Sequence, residues 1–296
     1  MKRKILLILL AMAVIFTMSV VPGFAASKKI TLVGEKTYVK DGDEMKLDKE
    51  WKETYNSSGR VKKYITKDYY LDDLDFYHST SFSYTYTKSG KVKTLIVRED
   101  GEITGKYVST YKNGKLSKET YYTYKAKKKK YVKDTYTVYK YTSSKITATE
   151  YNKKDKATGT KNITTLDSKK RVKKIVYYFE GKKDATKTFE YFSNGKLKKE
   201  VRKDRHVTDT DTYNKQGQLI KNVYDYPNED MYVTTKFKYN DNGLLIKKTE
   251  VSDDLKTTYT YKYSNFYKSK KKYPQLTKIY YNNRLDSKVV SEYKKI

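Results

Sequence analysis

Tyr111-Lys112-Asn113-Gly114-Lys115-Leu116 is one copy of a phrase that this chain writes nine times. Tyr213-Asn214-Lys215-Gln216-Gly217-Gln218-Leu219 and Tyr239-Asn240-Asp241-Asn242-Gly243-Leu244-Leu245 are two more. Each copy holds a Tyr, a few turn-forming residues, Gly or a stand-in, a long polar residue, and Val, Leu or Ile. A repeat of this kind sets the architecture before local propensities are weighed. It also argues against an enzyme, since copied units seldom build one asymmetric catalytic centre.

The turn anchors fall at Gly59, Gly90, Gly114, Ser144, Lys170, Gly195, Gly217 and Gly243, with a degenerate copy near Gln275 and an offset copy at Tyr281-Asn282-Asn283-Arg284-Leu285. Their spacing is about 26 residues. Gly suits a tight hairpin because it tolerates positive φ. Ser144 and Lys170 imply longer or type I turns. A second turn class lies between the anchors, at Asp72-Asp73, Asp100-Gly101, Gly181-Lys182, Asp204-Arg205, Pro227-Asn228 and Asp253-Asp254. The intervening stretches, such as Phe82-Ser83-Tyr84-Thr85-Tyr86, alternate with period two and are rich in Tyr, Thr and Val. No sustained 3.6-residue apolar stripe follows the N-terminal segment, so almost no helix is expected. Two strands per repeat give about 18 strands, more than an open twisted sheet carries without curling. The pattern therefore predicts an all-β fold: an antiparallel β-hairpin repeat array, a long meander that coils or spirals.

The N-terminus reads as a secretory signal. Lys2-Arg3-Lys4 is basic, residues 5–21 are apolar, and Gly23-Phe24-Ala25 offers small residues for cleavage after Ala25. An uncleaved anchor is the alternative. The domain reading is a signal peptide at 1–25, a lead or cap at 26–50, and the repeat domain at 51–296. Loss of Lys2, Arg3 and Lys4 takes the net charge from +30 to +27. Lys carries nearly all of it, and Lys lacks the planar fork with which Arg reads phosphate or guanine. Specific nucleic-acid reading is not expected. The absence of Cys excludes thiol catalysis and disulfides. The 34 Tyr residues suggest a thin structure of half-buried rings, not a thick aliphatic core.

Candidate chemistry is sparse. His78 and His206 have no partners at a spacing that implies a triad or metal site, and no cofactor or metal is expected. The acidic groups Asp72-Asp73-Asp75, Asp209/Asp211 and Asp253-Asp254 fall where turns are expected, where Asp serves its own turn geometry. A ladder of Tyr84, Tyr86, Tyr122, Tyr124, Tyr136, Tyr259, Tyr261 and Tyr263 recurs at strand positions. Packing explains it most simply, but a Tyr face edged with Lys also suits a sugar or a phosphate-bearing polymer. The candidate polymer-binding residues are Tyr122, Tyr124, Lys127, Lys128, Lys129, Lys130, Tyr259 and Tyr261. The lone Trp51 precedes the first repeat and is expected to cap it or mark an edge.

Tyr55-Asn56-Ser57-Ser58-Gly59-Arg60-Val61 and Tyr213 to Leu219 resemble the YD repeat of RHS-type secreted proteins. Tyr111 to Glu119 and Phe192 to Glu200 look like the related MORN-like repeats of antitoxin-type proteins. Asp after Tyr is missing in every copy. The resemblance implies a β-hairpin array at the cell surface or in the medium, and transfers neither a toxin activity nor a catalytic residue. The expected function is non-catalytic binding of an anionic or glycan cell-surface polymer, after Gram-positive-like export to the medium or cell wall. The alternatives are a protein-interaction or structural module that pairs strand edges, and a glycan-active enzyme using two turn carboxylates. No membrane contact is expected after signal cleavage.

Overall fold

The computed structural model describes residues 30–70, 73–229, 231–252 and 255–296. The expected signal and its cleavage point lie outside the described residues, as do the Asp72 and Asp253-Asp254 turn positions. Among the described residues twenty strands follow in chain order. They are β1 (Ile30–Asp41), β2 (Glu44–Tyr55), β3 (Val61–Tyr70), β4 (Asp73–Tyr86), β5 (Val92–Glu99), β6 (Glu102–Lys112) and β7 (Lys115–Lys125). Next come β8 (Lys130–Tyr141), β9 (Lys145–Asn152), β10 (Ala157–Leu166), β11 (Val172–Phe179), β12 (Lys182–Tyr191), β13 (Leu197–Lys203) and β14 (Thr208–Tyr213). The last six are β15 (Leu219–Tyr226), β16 (Met231–Tyr239), β17 (Leu245–Ser252), β18 (Leu255–Phe266), β19 (Pro274–Tyr281) and β20 (Arg284–Lys295). Helix among the described residues is limited to single 3-10 turns at Ala126–Lys128 and Tyr267–Ser269.

Every strand pairs antiparallel with its successor, and β20 pairs back onto β1, with Ser291 opposite Glu35 and Val289 opposite Thr37. The sheet is therefore a closed barrel. This corrects the expected open, coiled hairpin array, and with it the YD/RHS-type array that the resemblance implied. Residues 30–50, expected as a lead or cap, are wall strands at the seam. Trp51 caps nothing: its ring lies 6.0 Å from Tyr64, and its indole N–H donates to Glu35 at 3.0 Å.

The repeat phrase supplies part of the curvature that closes the sheet. A register shift sits directly before the repeat aromatic or its substitute at Thr54/Tyr55, Thr85/Tyr86, Thr110/Tyr111, Thr165/Leu166, Glu190/Tyr191, Thr212/Tyr213 and Lys238/Tyr239. Such bulges bend a strand and sharpen its twist. Further shifts lie towards the opposite rim, as at Tyr69/Tyr70, Val97/Arg98, Tyr121/Tyr122, Tyr177/Tyr178 and Ile279/Tyr280, so bulges at both rims bend the sheet until its ends meet. The register advances about one residue along the strand for each strand crossed, which corresponds to a tilt of about 36°. Twenty strands at that tilt enclose a barrel roughly 35 Å across, wide enough for an aqueous lumen.

The turns carry the expected chemistry with local differences. At Gly59, Gly90, Gly195, Gly217 and Gly243 the anchor N–H closes onto the carbonyl three residues back, and the anchor φ is positive. Lys170 makes the same turn at φ 63, so no longer loop is needed there. A further copy is centred on Asp155. Gln275 is not an anchor; it lies inside β19.

The Tyr of each phrase has a defined partner. Tyr111 donates its hydroxyl to the Val92 carbonyl at 2.8 Å, Tyr141 to Leu116 at 2.9 Å, Tyr191 to Val172 at 2.8 Å and Tyr239 to Leu219 at 2.8 Å. Tyr86 and Tyr263 do the same to Val61 and Leu245. The long polar residue that follows the Gly or its stand-in lies over the next repeat's ring: Lys91 over Tyr111 at 5.3 Å, Lys115 over Tyr141 at 5.2 Å, Arg171 over Tyr191 at 4.3 Å. The phrase thus encodes a clamp between successive hairpins. Replacing Tyr239 with Phe removes one hydroxyl–carbonyl bond and should lower stability by about 1 kcal/mol in urea unfolding. A midpoint unchanged from that of the parent chain would mean the clamp contributes nothing.

Candidate functional site: the outer lysine–tyrosine wall

Closure gives the two faces of each strand different surroundings. On β6, Gly105, Tyr107, Ser109 and Tyr111 alternate with Lys106, Val108 and Thr110. Across the pair, Thr123, Tyr121 and Glu119 meet the first set, and Tyr122, Thr120 and Lys118 meet the second. Buried side chains fall almost entirely on the first face: Leu95, Val97, Ser109, Glu119, Thr164, Ala185, Asn222, Thr235, Thr257, Ser287 and Ser291. Thr120 is an exception. The concave side of a barrel crowds its side chains, so this face lines the lumen.

The lumen is aromatic and acidic. Glu35, Glu53, Glu119, Glu150, Glu200, Asp209, Asp211 and Glu250 share its face in the continuous register. Four cations on that face are paired: Lys49 with Asp68 at 2.6 Å, Lys248 with Glu250 at 3.1 Å, Arg202 with Asp204 at 3.7 Å, and Lys187 with Glu200. Asp209 and Asp211, expected at a turn, lie side by side on β14, and both accept the Asn222 amide, at 2.7 and 2.8 Å. Burial pushes the Tyr84 hydroxyl up to about 12 and those of Tyr107 and Tyr139 higher still.

The outer face is basic. Lys36, Lys52, Lys63, Lys106, Lys118, Lys161, Lys174, Lys199, Lys221, Lys236, Lys247, Lys262, Lys278 and Lys288 all occupy outward positions away from the strand ends. With the stagger of about one residue per strand, they form a girdle around the middle of the wall. Many lie over tyrosine rings. Lys106 is 4.1 Å from the Tyr131 ring and 5.2 Å from Tyr122. Lys118 and Lys133 approach Tyr136 at 3.9 and 4.3 Å, and Tyr136 stacks on Tyr151 at 5.2 Å. Tyr124 and Tyr131 are 5.0 Å apart.

The structure divides the sequence-derived candidates. Tyr122 and Tyr124 lie on the outer face of β7. Lys127 and Lys128 sit in the adjoining 3-10 turn, Lys129 takes φ 46, and Lys130 opens β8; all four lysines are exposed. These six residues form one patch at a rim. Tyr259 and Tyr261 belong to the lumen of β18, about half a turn away, with Tyr259 packed 5.4 Å from Tyr281. Sequence reading missed Lys106, Lys118, Lys133 and Tyr131 as parts of the outer patch. Their signal was the period-two alternation, which assigns a face only once the register is known. His78 is bonded to Asp100 at 2.9 Å, while His206 accepts from Arg205 at 2.7 Å in another turn; they share no site. Among the described residues no cluster of three or more His, Cys, Asp or Glu side chains is arranged to hold a metal.

No protein-family profile matches the chain, and no curated protein does. Solved structures do. A porin-like protein from Bacteroides uniformis is 12% identical, with 91% of this chain and 98% of that one covered, at a TM-score of 0.42. A porin-like protein from Bacteroides vulgatus is 13% identical over 88% and 98%, at 0.28. A TcdB2-TccC3-Cdc42 structure is 13% identical over 86% of this chain and 19% of its own, at 0.27. At such scores they carry no argument about function, and the functional reading rests on the chain's own two faces.

Glu119 makes the luminal electrostatics testable. It lines a cavity of about 20 Å³ with Tyr107, Tyr121, Thr137 and Glu150. Burial raises its pKa to about 7, opposed by a bond from the Ser109 hydroxyl. The folded pKa exceeds the unfolded one, so the folded state binds the extra proton between about pH 4.5 and 7. Stability from this group is therefore lost as pH rises through that window, by about 3 kcal/mol at most. Glu119→Gln should flatten that loss in unfolding measured at pH 5 and pH 8. An unaltered pH dependence would show that Glu119 ionises without cost.

Proposed function

We propose that this protein is an exported, non-catalytic binding barrel whose basic outer wall holds an anionic or glycan polymer of the cell surface. The observation that carries this reading is the segregation of charge between the faces. Acids in excess of their cation partners face the lumen, and a lysine girdle faces outward. A curved wall of point charges attracts a flexible polyanion through many weak contacts, without needing one defined geometry. Tyrosine rings between the lysines, as at Tyr122, Tyr131, Tyr136 and Tyr151, offer flat apolar surfaces to sugar rings. The rim patch of Lys127 to Lys130 extends the basic surface at one end. Export rests on the N-terminal signal pattern.

A lipid-embedded barrel is the other reading that this architecture invites. The outer wall opposes it. A spanning barrel needs an apolar outer band about 25 Å tall, and a Lys at the bilayer midplane costs about 2–4 kcal/mol. Here the lysine girdle occupies that level on most of the wall, and outward Val and Ile such as Ile65, Val108, Val138 and Val223 form only a thin broken row. The chain is therefore expected to stay in solution without detergent.

The test is retention of residues 26–296 on isolated cell wall, with and without its anionic polymers, across a salt series. Retention should need the polymers and fall about tenfold or more between low and physiological salt. Retention indifferent to both polymer and salt would defeat the proposal.

A further inference from the structure

The outer face of β16–β18 carries a groove. Thr234, Lys236 and Lys238 of β16, Lys247, Thr249 and Val251 of β17, and Lys256 of β18 line this groove of about 310 Å³. Among the described residues no carboxylate lines it. Lys238 stands directly opposite Lys247, and Lys236 opposite Thr249. Val251, next along the groove, faces Lys256. Like charges placed opposite each other across an antiparallel pair destabilise it.

Some other outward lysines have partners that soften such repulsion, although Lys278 also stands opposite Lys262 and Lys288. Lys36 is 3.5 Å from Glu50, Lys161 lies over Tyr178 at 4.6 Å, and Lys262 over Tyr280 at 4.5 Å. Among the described residues, Lys236, Lys238, Lys247 and Lys256 have neither an acid nor a ring. Four lysine and two threonine side chains thus line one concave space, whose exposed walls are mostly their apolar stems. Its volume lies at the lower end of the range for small-molecule sites.

We propose that this groove is a phosphate-binding subsite, which takes a phosphate group borne by a sugar or polyol. A bound phosphate would lie between Lys238 and Lys247 and remove their mutual repulsion. Lys236 and Lys256 would flank it, and the Thr234 and Thr249 hydroxyls would donate to its oxygens. The neighbouring threonine and valine surface would meet the carbon skeleton. The subsite rests on the polymer-binding reading only for the source of the phosphate; the chemistry of the groove is the same for a free phosphate and a phosphodiester chain.

The experiment titrates inorganic phosphate, and separately glycerol 1-phosphate, into residues 26–296 at constant ionic strength, with binding read by calorimetry and thermal melting. The parent chain is compared with a Lys238→Gln/Lys247→Gln variant and a Lys153→Gln/Lys154→Gln control in the exposed turn between β9 and β10. The expected result is saturable binding in the parent and control, weakened about tenfold or more in the first variant. That variant should also melt higher than the parent without phosphate, because its like-charge pair is gone. A tighter fit for glycerol 1-phosphate than for phosphate would identify a polyol-borne group as the ligand; equal affinity would identify the phosphate alone. Equal binding by all three proteins, or none by the parent, would overturn the subsite. Wall retention measured on the same proteins separates the two claims. Phosphate binding without wall retention removes the polymer reading and leaves the subsite standing.

Discussion

The structure depends on the pairing of β20 with β1. Glu35 marks this seam: its carboxylate accepts Trp51 from β2 at 3.0 Å and Ser291 from β20 at 3.0 Å, so one side chain ties three strands at the point of closure. Without the seam, both faces of the meander would meet the same solvent. With it, the period-two alternation of the strands becomes a division between lumen and exterior. Tyr107 and Glu119 turn inward while Lys106 and Lys118 turn outward.

The repeat phrase serves that closure in two ways. Its bulge, placed just before the Tyr in most copies, bends those hairpins in the same sense. Its Tyr hydroxyl then reaches a carbonyl of the previous hairpin, and the residue after Gly supplies a cation above the ring in several copies. Each bond is modest, on the order of 1 kcal/mol. Repetition around the rim gives the barrel its cohesion where a thick core is lacking. The buried apolar side chains among the described residues are few: Val33, Val61, Leu95, Val97 and Ala185. The phrase tolerates local loss. Leu166 stands where a Tyr is expected, and Tyr213 turns its hydroxyl to Asp211 instead.

Much of this was legible in the chain. The turn anchors, the strand composition and the near absence of helix are local properties, and Asp100-Gly101 and Asn113-Gly114 declare their hairpins through residues that accept positive φ. Closure was not legible. Thr37 and Val289 meet across a seam that no local signal marks, and a repeat period fits a spiral as well as a ring. The site suffered from the same gap. Tyr122 and Tyr259 look alike in sequence, yet one is outside and the other inside, because face assignment needs the register. The Lys238/Lys247 apposition is likewise a register fact, hidden in two separate phrases.

The charge division and the proposed binding role both require a closed ring, and closure can be tested directly. The chain has no Cys, so a Thr37→Cys/Val289→Cys pair can be introduced on a clean background. These positions face each other across the seam, and opposite residues in an antiparallel pair lie within disulfide reach. Under mild oxidation the account predicts a rapid intramolecular disulfide, seen as a mass loss of two hydrogens in the monomer. Thiols that stay free, or that form only intermolecular bonds, while the protein remains folded would contradict closure.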